Sequence, residues 1–198
     1  MRNCVFLVFI ICFRSCAKQE VKTSKNEEYQ QLLVDVLEPK TGIIDTLQVP
    51  KYIKSEVATI SKLNYFSNGI SGKGDVEEDK IPPYSTFIEL KNKASLTDLQ
   101  KLTSNKNGVV AFYAQLAISE NNPNVIPIVF SNFLEKNNKI FSRRGCLVGE
   151  VETSELFYDE FSHFNLSSEL AAEISKIALQ HRNTTKYVFT LEKRKIPN

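Results

Sequence analysis

A series of short apolar segments, each opened by a polar cap and closed by a polar turn, most restricts the fold of this chain. Ser95-Leu96-Thr97-Asp98 is the clearest start signal, because a hydroxyl followed three residues later by a carboxylate forms a capping box. Leu96, Leu99 and Leu102 then give the apolar side of a short helix. Each such helix must bury that side against another element, which favours a layered or bundled helical fold.

The same periodicity predicts helices on both sides of this one. Their expected spans are 27–37, 51–63, 85–94, 108–119, 125–136, 154–161 and 168–180. We expect Asn124 and Ser167 to cap the helices that follow them, and Pro127 to occupy a first turn, where its missing N–H is tolerated. The segment 186–194 is β-prone in composition, although its context favours a helix.

The helix expected over 108–119 shows the most regular pattern. Val110, Ala114, Ala117 and Ile118 fall on one face, with the larger apolar side chains beside it. Small residues on that face would allow close approach of a neighbouring helix. The sequence therefore predicts a close helix contact on this face.

Two regions lack the helical pattern, and the first of them predicts a division of the chain. Residues 67–83 collect Gly, Ser, Pro and acidic side chains, which predicts a loop or linker between an N-terminal helical extension, 27–66, and a helical domain, 84–198. Residues 137–153 look irregular. Within the extension, the conformation of 43–49 stays undecided.

The opening apolar run, Val5 to Phe13, is too short for a membrane-spanning helix, which needs about 20 apolar residues. It fits the centre of an export signal that follows a basic start, and this predicts a signal peptide over 1–15. A buried N-terminal helix or strand is the alternative. Ser15 and Cys16 resemble a bacterial lipoprotein cleavage site, at which cleavage falls before the cysteine and the cysteine is acylated. Residues 16–26 would then be a flexible tether.

Cleavage there changes both the charge and the cysteine content. The chain has 25 Lys+Arg and 23 Asp+Glu, and loss of Arg2 and Arg14 leaves 23 of each sign. A neutral protein is unsuited to general nucleic-acid binding, which needs a basic surface. With Cys4 and Cys12 removed and Cys16 acylated, Cys146 has no partner for an intramolecular disulfide.

The stretch from Ser95 to Ser119 resembles a HEAT-type α-helical repeat, in which two helices pack as a hairpin. The residues that match its second helix are Asn107, Val110, Ala114 and Ala117, while Gly108 and Ala111 stand where Pro and Arg are usual. The segment from Phe87 to Phe141 is also similar to small envelope lipoproteins of Bacteroidetes-type bacteria. The residues that fit their pattern are Leu99, Leu102, Thr103, Asn107, Tyr113, Ala114, Ile126, Pro127, Ile128, Gly145 and Cys146.

These resemblances imply an all-α fold of HEAT-like stacked helical hairpins; an irregular helical bundle and an α+β fold remain alternatives. They also imply an interaction or repeat core formed by Asn107, Val110, Tyr113, Ala114 and Ala117.

Sequence motifs for catalysis are missing. The chain has no H-E-x-x-H, C-x-x-C or G-x-S-x-G, and its two histidines, His163 and His181, lie on different segments. We therefore expect no catalytic residue, metal or small-molecule cofactor.

The leading hypothesis is a non-enzymatic lipoprotein of the bacterial cell envelope that binds another envelope protein and is held at a membrane by Cys16. A small exported hydrolase or stress protein, with a site assembled from Cys146, Asp159 and His163, is the alternative.

Overall fold

The computed structural model describes residues 39–69, 82–136, 138–144, 147–161, 164 and 166–181. These residues are mostly helical, with one small two-stranded sheet. The helices are α1 (Lys54–Leu63, after a 3-10 turn at Lys51–Ile53), α2 (Tyr84–Lys93), α3 (Leu96–Leu102), α4 (Gly108–Asn121), α5 (Ile126–Lys136, after a 3-10 turn at Pro123–Val125), α6 (Thr153–Phe161) and α7 (Ser168–Gln180); the strands are β1 (Lys139–Arg144) and β2 (Leu147–Glu152). The predicted helical class and the positions of these helices are confirmed.

Local capping explains several helix starts. The Ser95 hydroxyl accepts a hydrogen bond from the Asp98 N–H at 3.2 Å, and the Asp98 carboxylate accepts one from the Ser95 N–H at 3.1 Å, so the capping box is complete. Ser167 caps α7 as expected, by accepting from the Leu170 N–H. The cap predicted at Asn124 is wrong: Asn122 caps the 3-10 turn, and its side chain accepts from the Asn124 N–H.

Helix α4 is the centre of the core and is buried on nearly all sides. Phe112, Tyr113 and Leu116, expected to flank its packing face, are as buried as Val110 and Ala114 on that face. The flanking residues are buried as well because α1, α3 and α6 all pack against this helix, together with β1. A helix that is apolar around its whole circumference is suited to such a central position.

Aromatic rings run through this core from one side to the other. Phe87 stacks on Tyr113 at 4.5 Å between centroids, and Tyr113 touches Phe66, which meets Phe112 edge-on at 5.0 Å. The series continues through Phe133, Phe157, Phe161 and Phe130. Such pairs contribute about 0.5–1.5 kcal/mol each beyond the apolar area they bury.

The region 137–153 corrects the expectation of irregular structure. Strands β1 and β2 pair antiparallel, with Ile140 opposite Val151 and Ser142 opposite Gly149. Phe66 adds a third, short pairing on the other edge of β1: its N–H donates to the Phe141 carbonyl and its carbonyl accepts from the Arg143 N–H, both at 2.8 Å. The all-α expectation therefore omitted a hairpin whose stability depends on a distant segment.

Residues 39–69 and the described residues after 81 belong to one compact unit, with Ile53, Val57, Ile60 and Phe66 in the same core as α4. The expected signal peptide at 1–15, the tether at 16–26, the helix at 27–37 and the terminal helix at 186–194 lie outside the described residues.

Candidate functional site

Residues 39–50 form no helix or strand and include a turn at Thr46–Val49; they contact the end of α1 and the start of α4, and we call them the strap. Three asparagines, the asparagine clamp, hold it in place. Asn64, which ends α1 in the left-handed conformation with φ 52°, donates to the Lys40 carbonyl at 2.7 Å. Asn105 donates to the Asp45 carbonyl at 2.9 Å. The strap is thus fixed at two points by side chains from different parts of the chain.

Asn107 joins the two ends of the clamp and also starts α4. Its side-chain oxygen accepts from the N–H groups of Val109 and Val110 at 3.0 and 3.1 Å, which is the bonding expected of an N-cap. Its side-chain nitrogen donates to the Asn64 side-chain oxygen at 3.0 Å, and its own N–H donates to the Asn105 side chain at 2.9 Å.

Gly42 lets the strap approach the clamp closely. A Cβ at this position would lie 2.3 Å from the Ser61 carbonyl oxygen and 2.6 Å from atoms of both Asn64 and Asn107. These distances are too short for any side chain. The strap therefore needs glycine here to reach its position.

A cleft of about 390 Å³ lies between the strap and the end of α3. Its polar lining comes from Asp45, Gln48, Asp98, Lys101, Ser104, Asn105 and Lys106, and its apolar lining from Leu47, Val49, Pro50 and Leu102. This mixture of charged and apolar groups suits a peptide segment better than a wholly apolar ligand.

Asp98, at the edge of the cleft, has a structural role. Its carboxylate accepts hydrogen bonds from Ser95 and from the Tyr52 hydroxyl. The bonds from Ser95, and then the bond from Tyr52, lower the pKa of Asp98 below its usual value. The same Asp98 bond raises the pKa of Tyr52. A carboxylate bound in this way stabilises the cap of α3 and links it to the 3-10 turn that follows the strap.

Several exposed apolar side chains lie on the strap or on the elements that follow it and contribute to its cleft. Among the described residues eight large apolar side chains are exposed; three of them, Ile43, Ile44 and Leu47, lie on the strap, and two more, Tyr52 and Leu96, lie on the 3-10 turn after it and at the start of α3. Leu47, which lines the cleft, is 94% exposed. Tyr52 contacts the cleft through Asp98, and Leu96 lies two residues before Asp98 on α3. We call these five residues the strap surface.

The residues that the sequence indicated as an interaction or repeat core all lie on or at the start of α4. Val110, Tyr113, Ala114 and Ala117 are fully buried, and Asn107 is in the clamp. Their side chains pack inside the unit, and none is placed to contact a partner on its surface. Cys16 and Ser15, the expected lipidation and cleavage residues, lie outside the described residues.

The triad suggested for a hydrolase stays a prediction, because only Asp159 of its three residues lies in the part of the chain that the structure describes. Asp159 pairs with Arg144 at 2.8 Å, whereas Cys146 and His163 lie outside the described residues. The neighbouring Arg143 lies over the Tyr65 ring, 4.9 Å from its centroid.

The sequence pointed to neither the strap nor its cleft. The Asn-rich turn at 103–107 was one available signal, since asparagine side chains often bond to nearby backbone. The hydrogen bonds of the clamp join Asn64 to Lys40, Asn105 to Asp45 and Asn107 to Asn64. These partners lie up to 60 residues apart, and no local pattern reveals such bonds.

The described residues hold no group of three or more His, Cys, Asp or Glu side chains able to bind a metal ion. In the same part of the chain, every helix is too short or too polar to cross a membrane. Comparisons with protein-family models, with curated proteins and with solved structures find no match to this chain.

Proposed function

We propose that this protein is a non-enzymatic lipoprotein of the bacterial cell envelope whose strap surface binds another envelope protein. The observation that carries the binding part of the proposal is the concentration of exposed apolar side chains at the strap, with Leu47 almost fully exposed beside a cleft. Exposed apolar residues that are grouped and rimmed by polar side chains mark binding surfaces, whereas scattered ones need no explanation.

The fixed position of the strap supports a role in protein binding. A surface that is ordered before binding loses less conformational entropy on association. The asparagine clamp and the close approach at Gly42 fix the strap to α1 and α4, so Leu47 is presented from a rigid base.

The proposed fold family is HEAT-like. Helices α3 and α4 form a packed pair joined by a short polar turn, and Asn107 caps the second helix as the repeat pattern expects. Repeats of that kind offer helical surfaces to protein partners.

The envelope location rests on the sequence alone, from the apolar run at Val5–Phe13 and from Ser15-Cys16. Several acyl chains on one cysteine would give the stable anchoring that a single chain does not.

Two experiments on the full chain in a bacterial host test the proposal separately. Metabolic labelling with a lipid precursor is expected to label the wild type and not Cys16→Ala; an unlabelled wild type would reject the anchor. Affinity purification from envelope extracts is expected to recover a partner with the wild type and with Leu179→Asp, an exposed leucine on α7, but not with Leu47→Asp. Equal recovery with both aspartate variants would reject the strap surface.

A further inference from the structure

The cleft beside the strap carries lysines that have no ion-pair partner in the described part of the chain. Lys101, at the end of α3, and Lys106, in the turn after it, both line the cleft and are both exposed. Lys40 lies on the strap itself, and Lys51 follows Pro50, another residue of the cleft lining. None of these four lysines pairs with a described carboxylate. The strap and its cleft therefore offer unpaired ammonium groups to a ligand.

The two carboxylates that line the cleft do not balance these lysines. Asp98 is buried, and it already accepts hydrogen bonds from Ser95 and from the Tyr52 hydroxyl. Those bonds lower the pKa of Asp98 more than the charge of Lys101 does, so this carboxylate does not need Lys101 as a partner. Asp45 is half-buried, which leaves one carboxylate against two exposed lysines in the lining.

Exposed carboxylates belong to other elements. Among the described residues 39–50 and 95–107 no carboxylate is exposed, whereas α5, β2 and α7 carry exposed ones: Glu135, Glu150, Glu169 and Glu173. On α2 the lysines have their own partners, because Lys91 pairs with Glu120 at 2.6 Å and Lys93 pairs with Glu56. The exposed surface of the strap and α3 is therefore basic, and it is the same surface that presents Leu47.

We propose that the segment which the partner places on the strap surface is acidic: its apolar side chains pack against Leu47 and the apolar wall of the cleft, and its carboxylates pair with Lys101 and Lys106. This inference rests on the proposed function, because it names the chemistry of that partner. Apolar contacts at the centre and charged pairs at the rim are usual in protein interfaces. The unpaired lysines would select among partners, since a basic segment would meet like charges.

The shape of the site favours a protein segment over an anionic membrane. A lipid surface is broad, and it attracts lysines that lie together on a helix face or on a projecting segment. Lys101 and Lys106 instead line a cleft of about 390 Å³ between the strap and the end of α3. Side chains of a peptide segment enter such a cleft and reach the ammonium groups from inside it.

Photocrosslinking within the cleft tests the charge of the partner. In the full chain, in a bacterial host, a photoreactive amino acid replaces Gln48, which lines the cleft, so that Leu47 is kept. We expect a protein crosslink, and mass spectrometry should place it in a segment with more Asp and Glu than Lys and Arg. A crosslinked segment of neutral or basic sequence would overturn the proposal. A crosslink to lipid in place of protein would assign the surface to a membrane and overturn it as well.

Charge reversal gives a second measure. Lys101→Glu combined with Lys106→Glu should lower the crosslinking yield about tenfold, because two attractions become repulsions. Lys101→Arg combined with Lys106→Arg keeps both charges and should keep the yield. The control pair, Lys136→Glu with Lys176→Glu, changes the net charge equally at exposed sites on α5 and α7 and should have no effect. Equal yields from the two glutamate pairs would reject the acidic segment.

The outcomes separate this inference from the proposed function. A protein crosslink that the lysine substitutions leave unchanged keeps the strap surface as a binding site and rejects only the acidic segment. A wild-type background without any protein crosslink would reject both. Thermal unfolding checks the fold of each variant, and if the Lys101 and Lys106 glutamate pair does not fold, the composition of the segment crosslinked by the wild type decides.

Discussion

The hydroxyl of Tyr113 bonds to both backbone groups of Ser67: it accepts from the N–H at 2.9 Å and donates to the carbonyl oxygen at 2.7 Å. Both residues are buried, and they lie 46 positions apart. One side chain of the central helix thus replaces the backbone pairing that Ser67 would otherwise need.

Tyr113→Phe should therefore be strongly destabilising although it removes a single oxygen atom. The ring still packs on Phe87 and Phe66, but the N–H and carbonyl of Ser67 lose their partner inside the core. We expect the free energy of unfolding to fall by about 2–3 kcal/mol, measured by urea denaturation. Tyr52→Phe, which removes the hydroxyl of a half-exposed residue, is the matched control and should lose no more than about 1 kcal/mol. Equal losses in the two variants would contradict this role for Tyr113.

Gly42→Ala should displace the strap. The added Cβ would overlap the Ser61 carbonyl oxygen and the side chains of Asn64 and Asn107, so the strap must shift or the clamp must open. We expect a loss of about 1–3 kcal/mol, together with faster cleavage of the strap by protease. Gly108→Ala is the control, because its Cβ would meet only one atom, the Cγ2 methyl of Ile140, at 3.2 Å. Cleavage rates that are the same in both variants would show that the strap does not depend on this close approach.

Asn107 has two functions that substitution can separate. Asn107→Ala loses both the α4 cap and the bond to Asn64, and we expect it to cost about 1–2 kcal/mol. Asn107→Asp keeps an acceptor for the N–H groups of Val109 and Val110 but cannot donate to Asn64. Thermal unfolding should therefore rank the stabilities as wild type, then Asp, then Ala. If Asp proves no better than Ala, capping is not the main role of this side chain.

Glu160→Gln should stabilise the protein in a pH-dependent way. Because the folded-state pKa of Glu160 is raised, the folded state holds a proton that the unfolded state has released between about pH 4.5 and 7. The wild type therefore loses stability as pH rises through that range, by up to about 3 kcal/mol. The variant should be more stable than the wild type at pH 8 and equally stable at pH 4.5, in denaturation measured at both values. Glu173→Gln, an exposed position on α7, should show no such difference.

Features fixed by neighbouring residues could be predicted from the sequence. The Ser95–Asp98 capping box and the Ser167 cap depend on residues within three positions of each other, and both are present as expected. The sequence analysis chose Asn124 as a cap and missed Asn122, because the two asparagines lie two residues apart and are equally suited to capping. The 3-10 turn at Pro123–Val125 places Asn122 at the N-cap position.

Features fixed by distant residues could not be predicted in this way. The β1–β2 hairpin is paired along its outer edge by Phe66, and α4 is buried all round because several helices surround it. The candidate site is of the same kind: the strap is positioned by Gly42 fitting against Asn64 and Asn107, which no local pattern connects. Gly145, in the sequence between the two strands, was a hairpin signal.

The central claim is that the strap surface contacts a protein partner, and site-specific photocrosslinking tests it most directly. A photoreactive amino acid is placed at position 47 in the full chain, in cells of a bacterial host, and at position 179 in a matched control. We predict a discrete crosslinked species from position 47 that is missing from position 179 and is lost when Tyr52→Asp and Leu96→Asp are added. The same crosslinking pattern from both positions, or no crosslink from position 47, would contradict the claim.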